Sequence, residues 1–160
     1  MKVNRFWTLA CFAVLTFGAS AVPKPASSQS PRTHLYDRHA DARADIAAAL
    51  SRAYSSHRLV LLEFGANWCP ACHSLAALFE DPKVRSFLRD HFEVVRIDVG
   101  DFDRNRDVSR KYAMQGSIPS AAVLDSAGEV IAVMQGGLLA RDESARELLT
   151  DLERWVAATP

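Results

Sequence analysis

An almost continuous apolar run of strand length, Leu-Val-Leu-Leu-Glu-Phe-Gly, occupies residues 59–65. Such a run is typical of a strand that is buried on both faces of a sheet. A Trp-Cys-Pro-Ala-Cys turn follows at 68–72, and apolar residues then recur with helical spacing to Phe79. The pattern predicts a buried central strand that leads through the turn into a helix over residues 72–79.

Helical and strand patterns alternate along the rest of the chain. Helical spacing of apolar residues is found at 41–56, at 82–91, in a short segment that ends near 113, and at 142–157. Strand patterns occupy 93–99, 120–125 and 129–134. Asp81-Pro82 has the sequence of an N-cap followed by a first-turn proline, and 126–128 is the expected turn of a hairpin at the sheet edge. The order predicts one α/β domain with a central mixed sheet flanked by helices.

The N-terminus has the pattern of a secretory signal. Lys2 and Arg5 precede an apolar run that ends in Ala-Ser-Ala at Ala21. This predicts a signal peptide over 1–21 that is cleaved after Ala21. An uncleaved anchor and a lipoprotein attached through Cys11 are alternatives, but the run is shorter than the roughly 20 residues that a spanning helix needs. The Pro- and Ser-rich residues 22–36 are expected to form a flexible leader, which leaves 37–160 as the domain.

Composition and charge narrow the function classes. The 160 residues suffice for one core, and the formal net charge is zero, so there is no electrostatic argument for a nucleic acid partner. Removal of residues 1–21 takes away two of the 19 basic residues, against 19 acidic ones, and leaves a formal charge of −2. Two cysteines, Cys69 and Cys72, then remain. A pair only three residues apart closes too short a loop to stabilise a fold, so the pair is interpreted as an active site.

The residues around this pair resemble those of a known family. Trp68-Cys69-Pro70-Ala71-Cys72, preceded by Phe-Gly-Ala-Asn and followed far downstream by Ile118-Pro119-Ser, resembles the thioredoxin superfamily. The stretch 58–99 is most similar to the exported bacterial thioredoxin-like reductases. The resemblance implies a thioredoxin fold and dithiol–disulfide exchange without a bound cofactor.

Three residues are candidates for the chemistry. Cys69 is the expected nucleophile, because a helix N-terminus favours a thiolate and the sulfur can face solvent there. Cys72, one turn further on, is the expected resolving thiol; a buried structural pair is the alternative. The resemblance gives Glu63 the role of a buried acid that helps to move the proton of the resolving cysteine. The family more commonly has aspartate at this place, and a Glu63 side chain that reaches solvent is the alternative.

Four further residues are expected to bind a substrate. Ile118-Pro119 resembles the family's cis-proline loop, which would present the Ile118 backbone to an extended client chain; an ordinary trans proline is the alternative. Trp68 is expected to flank the sulfurs as an apolar wall, with core packing as the alternative. Gly136, followed by a second glycine, matches the place where the family lets a client backbone approach, although a plain turn before the last helix fits equally well.

The residues between and after the cysteines are expected to set the redox potential. Pro70 and Ala71 supply no charge or hydrogen-bond donor, whereas the family's strong oxidant has a histidine there, which favours a reductant. His73 either tunes the pair by its charge or is merely solvated. A thiol oxidase of the same fold, and a redox-fold binding or adaptor module with little turnover, remain alternative functions.

Other cofactors and the partners follow from the same residues. Cys-Pro-Ala-Cys-His also satisfies the pattern for covalent haem attachment, but the strands around it do not suit a small cytochrome. Residues 101–107 have calcium-loop spacing in their first half without its glycine and final acid, and the histidines show no zinc spacing, so no metal is expected. The expected partners are disulfide-containing or thiol client proteins and a membrane thiol-transfer protein as electron donor. A periplasmic monomer is expected, because there is no room for a separate dimerisation domain.

Overall fold

The computed structural model describes residues 34–112, 116–134 and 144–158. Its helices are α1 (Ala42–Ser56), α2 (Pro70–Phe79), α3 (Pro82–His91), α4 (Arg106–Lys111) and α5 (Ala145–Ala157). Its strands are β1 (Leu59–Gly65), β2 (Phe92–Asp98), β3 (Ser120–Leu124) and β4 (Val130–Met134). No helix within these described ranges is both long enough and apolar enough to cross a bilayer.

The four strands form one mixed sheet in the order β2-β1-β3-β4. β1 pairs with β2 in parallel and with β3 antiparallel, and β3 and β4 form the expected hairpin. This is the predicted thioredoxin fold, and it is confirmed. β1 lies inside the sheet and is buried along its whole length, which explains why its sequence is nearly all apolar.

Alternating side chains of β1 divide the core into two layers. Val60, Leu62 and Phe64 pack on the α1 side of the sheet. Leu59 and Leu61 pack on the other side, where α2, α3 and α5 supply the cover. Each fully buried side chain of this size contributes about 1.5–3 kcal/mol of transfer free energy. The alternation places the next residue, Glu63, on the side of α2.

Local capping determines where the helices start. The Asp41 side chain accepts hydrogen bonds from the backbone N–H groups of Arg43 and Ala44 and so caps α1. Asp81 caps α3 in the same way, with Pro82 as the first helical residue, as predicted. The predicted start of α2 at residue 72 is wrong by two positions, because Cys69 is itself the N-cap and Pro70 occupies the first helical position.

The N-terminal boundary of the packed region also differs from the expectation. Residues 34–36 fall in the described part of the segment that the sequence assigned to a flexible leader. Tyr36 is 1% exposed, and Leu35 packs beside it against the two cysteines. A buried side chain of this size is held by its contacts, so these residues pack with the domain rather than lead into it.

Candidate active site

The two cysteines lie at the N-terminus of α2 and are both free thiols. The backbone N–H of Cys72 donates a hydrogen bond to the sulfur of Cys69 over 3.3 Å. This contact, together with the positive end of the helix dipole, stabilises negative charge on the Cys69 sulfur. The local sequence produces the geometry, since Pro70 fits the first helical position and leaves Cys69 as the cap.

The second thiol is more deeply enclosed than the first. Cys72 has no exposed surface and Cys69 retains 4%. Burial, followed by the hydrogen bond to Cys69, raises the pKa of the Cys72 thiol to about 12. Cys72 is therefore protonated at neutral pH and must lose its proton before it can act as a nucleophile.

The burial of Cys69 corrects one expectation. The sequence suggested that its sulfur faces solvent, but Leu35 and Ile118 pack against the cluster that contains both sulfurs. The Cys69 sulfur lies 4.0 Å from the carbonyl oxygen of Ile118. An attacking disulfide therefore meets a Cys69 residue of which only 4% is exposed.

Glu63 is buried in the sheet beneath the thiols, as predicted, with 1% of its surface exposed. One carboxylate oxygen accepts a hydrogen bond from the Tyr36 hydroxyl, and the other lies 3.1 Å from Nε of Arg96 on the neighbouring strand. Desolvation by burial raises the pKa of Glu63, although Tyr36 and Arg96 both act to lower it. The raised pKa makes the Glu63 carboxylate a stronger base toward a neighbouring proton donor than an exposed glutamate would be.

Tyr36 joins the carboxyl group to the thiol. Its hydroxyl donates to Glu63, and its side chain packs in one cluster with Cys72, whose thiol pKa the hydroxyl acts to lower. Burial and the neighbouring Glu63 raise the pKa of the Tyr36 phenol well above its usual value, so the hydroxyl keeps its proton. Tyr36 therefore occupies the space between the expected proton acceptor and the resolving cysteine.

Two residues, Gly65 at the end of β1 and Asn67 in the connection to α2, hold Tyr36 in place. The Asn67 side chain forms two hydrogen bonds with the Tyr36 backbone, accepting from its N–H over 3.2 Å and donating to its carbonyl over 2.8 Å. Gly65 provides the space for the ring, because a Cβ atom at this position would overlap the Tyr36 hydroxyl and ring carbons. An added methyl group at Gly65 would displace the tyrosine.

The loop opposite the cysteines contains the expected proline. The Ile118–Pro119 peptide bond is cis. Pro119 is buried and Ile118 is half-buried against the cysteines, immediately before β3 begins at Ser120. The other glycine expected near the thiols, Gly136, lies outside the described residues.

Trp68 lies beside Cys69 on the surface. It is 54% exposed, which excludes the core-packing alternative. Its indole N–H donates to the Gly100 carbonyl oxygen over 3.0 Å, and its ring meets the ring of Phe102 edge-on, with 6.1 Å between centroids. Phe102 is itself 41% exposed and has a left-handed φ of 62°. The two rings form an exposed aromatic pair next to a polar cleft of about 300 Å³.

The residues expected to tune the thiols are placed as follows. Pro70 is exposed and Ala71 is half-buried, with no charged group between the cysteines. His73 is exposed on the first turn of α2, and its Nε2 lies 2.8 Å from the Asn67 carbonyl oxygen.

Leu35, Tyr36 and Ile118 pack against both cysteines. This packing does not suit the covalent attachment of a haem to the two sulfurs.

The charged residues after β2 form ion pairs and a hydrogen bond with neighbouring parts of the domain. Arg104 lies 3.7 Å from Asp98 and donates to the Arg38 carbonyl oxygen, while Asp107 pairs with Arg43 of α1. Among the residues described, no group of three or more histidine, cysteine or acidic side chains is arranged to hold a metal ion.

Two contributors to the site were missed by reasoning from the sequence. Tyr36 was assigned to the leader because Pro and Ser dominate the residues before it, and Arg96 gives no signal until β1 and β2 are paired in register with Glu63 opposite it. One signal was available for Tyr36: a glycine at the end of a buried strand, Gly65, often marks a close approach by another group.

Comparisons with known proteins agree with this geometry. A family model described as Thioredoxin-like matches residues 41–126. Over 84 residues the chain is 34% identical to a thioredoxin of Bacillus subtilis (strain 168), which covers 52% of this chain and 74% of the relative. It is 32% identical over 87 residues to a protein disulfide-isomerase of Triticum aestivum, covering 52% of this chain but only 16% of that longer relative.

A solved structure extends the similarity over most of the chain. The crystal structure of a disulphide isomerase from Xylella fastidiosa Temecula1 superposes with a TM-score of 0.73 at 38% sequence identity. The match covers 77% of this chain and 97% of that one.

Proposed function

Because this chain belongs to the thioredoxin-like family, we propose that it reduces disulfide bonds of exported client proteins through Cys69 and Cys72. The relatives named thioredoxin and disulphide isomerase support thiol–disulfide oxidoreductase activity in general. To this general activity the proposal adds the direction of electron transfer, the cellular location and the roles of single residues.

The observation that carries the proposal is the asymmetry of the two thiols. Cys69 caps a helix and receives a backbone hydrogen bond, whereas Cys72 is enclosed and has a pKa raised to about 12 by burial. A pair in which one sulfur is poised for attack and the other is held protonated beside a buried carboxyl group is suited to two-step exchange.

In the first step the Cys69 thiolate attacks one sulfur of a client disulfide. A Cys69–client disulfide forms, the client S–S bond breaks, and the departing client sulfur takes a proton from solvent. In the second step the Cys72 thiol gives its proton to the Glu63 carboxylate, and the Cys72 thiolate attacks the Cys69 sulfur. The Cys69–Cys72 disulfide forms and the Cys69–client S–S bond breaks, the second client sulfur leaves as a thiolate and takes a proton from solvent, and two electrons have passed from the protein to the client.

Client binding is assigned to the surface around Cys69. The Ile118 carbonyl beside the Cys69 sulfur supports binding of an extended client strand there. Trp68 forms an apolar wall beside this path. Gly136 is retained as a client-binding residue from the sequence.

The reductive direction rests on the residues between the cysteines. Pro70 and Ala71 provide no charged side chain, and His73 directs a ring nitrogen to the Asn67 carbonyl. A strongly oxidising pair requires additional stabilisation of the reduced thiolate, and these residues do not supply it. A thiol oxidase is the alternative with the same machinery.

The location and partners are proposed from the N-terminal sequence. Residues 1–21 are a cleaved signal peptide, and the mature monomer acts in the periplasm. A membrane thiol-transfer protein returns the Cys69–Cys72 disulfide to the dithiol form. The clients are exported proteins that contain disulfide bonds or cysteine thiols that have become oxidised.

A glutathione redox titration of the chain from residue 22 onwards tests this function, with thiol alkylation and mass as the readout. We expect a reversible two-electron transition near −270 mV, on the order of the thioredoxin value. A transition near about −120 mV, the value of a strong oxidant, would reverse the direction.

Insulin reduction with dithiothreitol gives the companion test. The native chain should accelerate precipitation of the insulin chains, and Cys69→Ser should not. If the thiols titrate normally but insulin reduction is no faster than with Cys69→Ser, the protein is a binding or adaptor module rather than a reductase.

A further inference from the structure

We propose that Tyr36 is a proton relay between Cys72 and Glu63, and that the segment 34–36 thereby completes the active site. The Tyr36 hydroxyl receives the thiol proton of Cys72 while it passes its own proton to the Glu63 carboxylate. The inference rests on the proposed function, because it concerns the second step of the exchange.

The first support is the position of the hydroxyl. Tyr36 is 1% exposed and packs in one cluster with Cys69 and Cys72. Its oxygen donates a hydrogen bond to Glu63, and the Tyr36 side chain packs against Cys72 in this cluster, where its hydroxyl acts to lower the pKa of the Cys72 thiol. Tyr36 thus packs against the residue that must lose a proton and is hydrogen-bonded to the group that can accept it.

The second support is how firmly the ring is held. Tyr36 is fixed by two hydrogen bonds between its backbone and the Asn67 side chain, one residue before Trp68 in the active-site turn. Gly65 leaves the space that the hydroxyl and ring occupy. A relay needs a donor group with a fixed position, and these contacts hold the Tyr36 hydroxyl at its hydrogen bond to Glu63.

The charges around the hydroxyl determine how the proton moves. Glu63 on β1 and Cys72 on α2 face the hydroxyl; Arg96 on β2 holds the other oxygen of Glu63, and Cys69 contacts Cys72. Because the phenol keeps its proton over the physiological range, the relay breaks the Cys72 S–H and Tyr36 O–H bonds together. It forms a new O–H bond on each acceptor, so no tyrosinate accumulates and the net transfer is one proton from Cys72 to Glu63.

Tyr36→Phe tests the relay because it removes the hydroxyl and keeps the ring. The reduced chain is mixed with a disulfide client, quenched with acid and alkylated, and the Cys69–client disulfide is followed by mass. We expect formation of this mixed disulfide to change less than about twofold, while its decay through Cys72 slows about tenfold or more. Tyr54→Phe, on a side chain that is 72% exposed, is the matched control and should leave both rates unchanged.

The pH profile separates a relay from simple packing. In the native chain the decay should stay fast well below the Cys72 pKa of about 12, down to the pH at which Glu63 becomes protonated. In Tyr36→Phe the decay should rise with pH across the neutral range, because the thiolate must then form without the relay. Glu63→Gln should give a pH profile of the same shape, and the double variant should be no slower than Glu63→Gln alone. Equal decay rates and profiles for the native chain and Tyr36→Phe would overturn the relay.

A measurement on the native chain covers the case in which Tyr36→Phe does not fold. The decay rate of the mixed disulfide is measured in mixtures of H₂O and D₂O. Two protons in flight give a curved dependence on the deuterium fraction, and this is the expected result. A linear dependence, as for a single proton, would overturn the relay while leaving the reductase function intact. A native chain that forms no mixed disulfide at all would instead contradict the proposed function.

Discussion

Two buried glutamates on neighbouring strands differ in their partners. Glu63 lies near the C-terminal end of β1 beside the thiols, and Glu93 lies near the start of β2, opposite Val60. Glu93 pairs with two arginines, Arg58 just before β1 and Arg52 of α1, the latter over 2.7 Å. Glu63 has one arginine and one neutral phenol.

The difference in partners separates structural from chemical use of the same residue type. Two guanidinium groups compensate the charge of Glu93 and tie α1 and the β1 entry to β2. Glu63 is less completely compensated, so desolvation prevails and its pKa is raised. A buried acid can exchange protons during a reaction when its charged and neutral forms are close in free energy, and only incomplete pairing allows this.

The largest expected effect is that of Glu63→Gln on the exchange rate. The amide keeps the size of the side chain but accepts no proton, so the resolving step should slow about 100-fold or more. Single-turnover reduction of a client disulfide, quenched with acid, measures it. A Glu63→Gln chain that resolves the mixed disulfide at the native rate would remove the functional distinction between the two glutamates.

Glu93→Gln should change stability instead of rate. It leaves Arg58, whose side chain is only 25% exposed, without its charged partner, and we expect the free energy of unfolding to fall by about 1–3 kcal/mol. Urea denaturation measures the loss, and the resolving rate should stay native.

Arg52→Gln is the control for that variant. The Arg52 side chain is 55% exposed, so solvent screens its pair with Glu93 and the expected loss is about 0.5 kcal/mol. If Arg52→Gln lowered the free energy of unfolding as much as Glu93→Gln, the exposed Arg52–Glu93 pair would be the main source of the stabilisation.

The last expected effect is the pH dependence of stability that Glu63 contributes. Because the folded pKa of Glu63 is raised above its ordinary value of 4.5, the unfolded chain releases this proton first as pH rises. The contribution of Glu63 is therefore complete below pH 4.5 and is lost as the pH rises to the folded pKa, with a slope of at most about 1.4 kcal/mol per pH unit. The difference in unfolding free energy between native and Glu63→Gln chains should show this fall, and a flat difference would contradict it.

The sequence predicts the sheet well because its strands are short apolar runs with clear ends. The run at 59–65 ends at Gly65 and coincides with β1. The predicted strand at 93–99 begins one residue too late, because Phe92 is both the C-cap residue of α3 and the first residue of β2. The last helix begins at Ala145 after the Ser144 cap, and the predicted start at 142 lies outside the described residues.

The site is only partly predictable, for a physical reason. Cys69, Cys72 and Glu63 are close in sequence, and strand and helix periodicity are enough to bring them together. Tyr36 and Arg96 reach Glu63 from 27 and 33 residues away through tertiary packing, which no local pattern encodes. The burial of Cys69 was missed for the same reason, since Leu35 and Ile118 cover it from distant parts of the chain.

The attachment of Tyr36 ahead of α1 bears on protein engineering. A chain trimmed to begin at Asp41, the cap of α1, would keep every helix and strand described here, together with both cysteines. It would lose the phenol that fills the space beside Gly65. The shortest chain that folds would then lack part of the active site. Conversely, a tyrosine-bearing peptide that matches residues 34–40, added back to the trimmed domain, offers a way to turn the exchange on by non-covalent assembly.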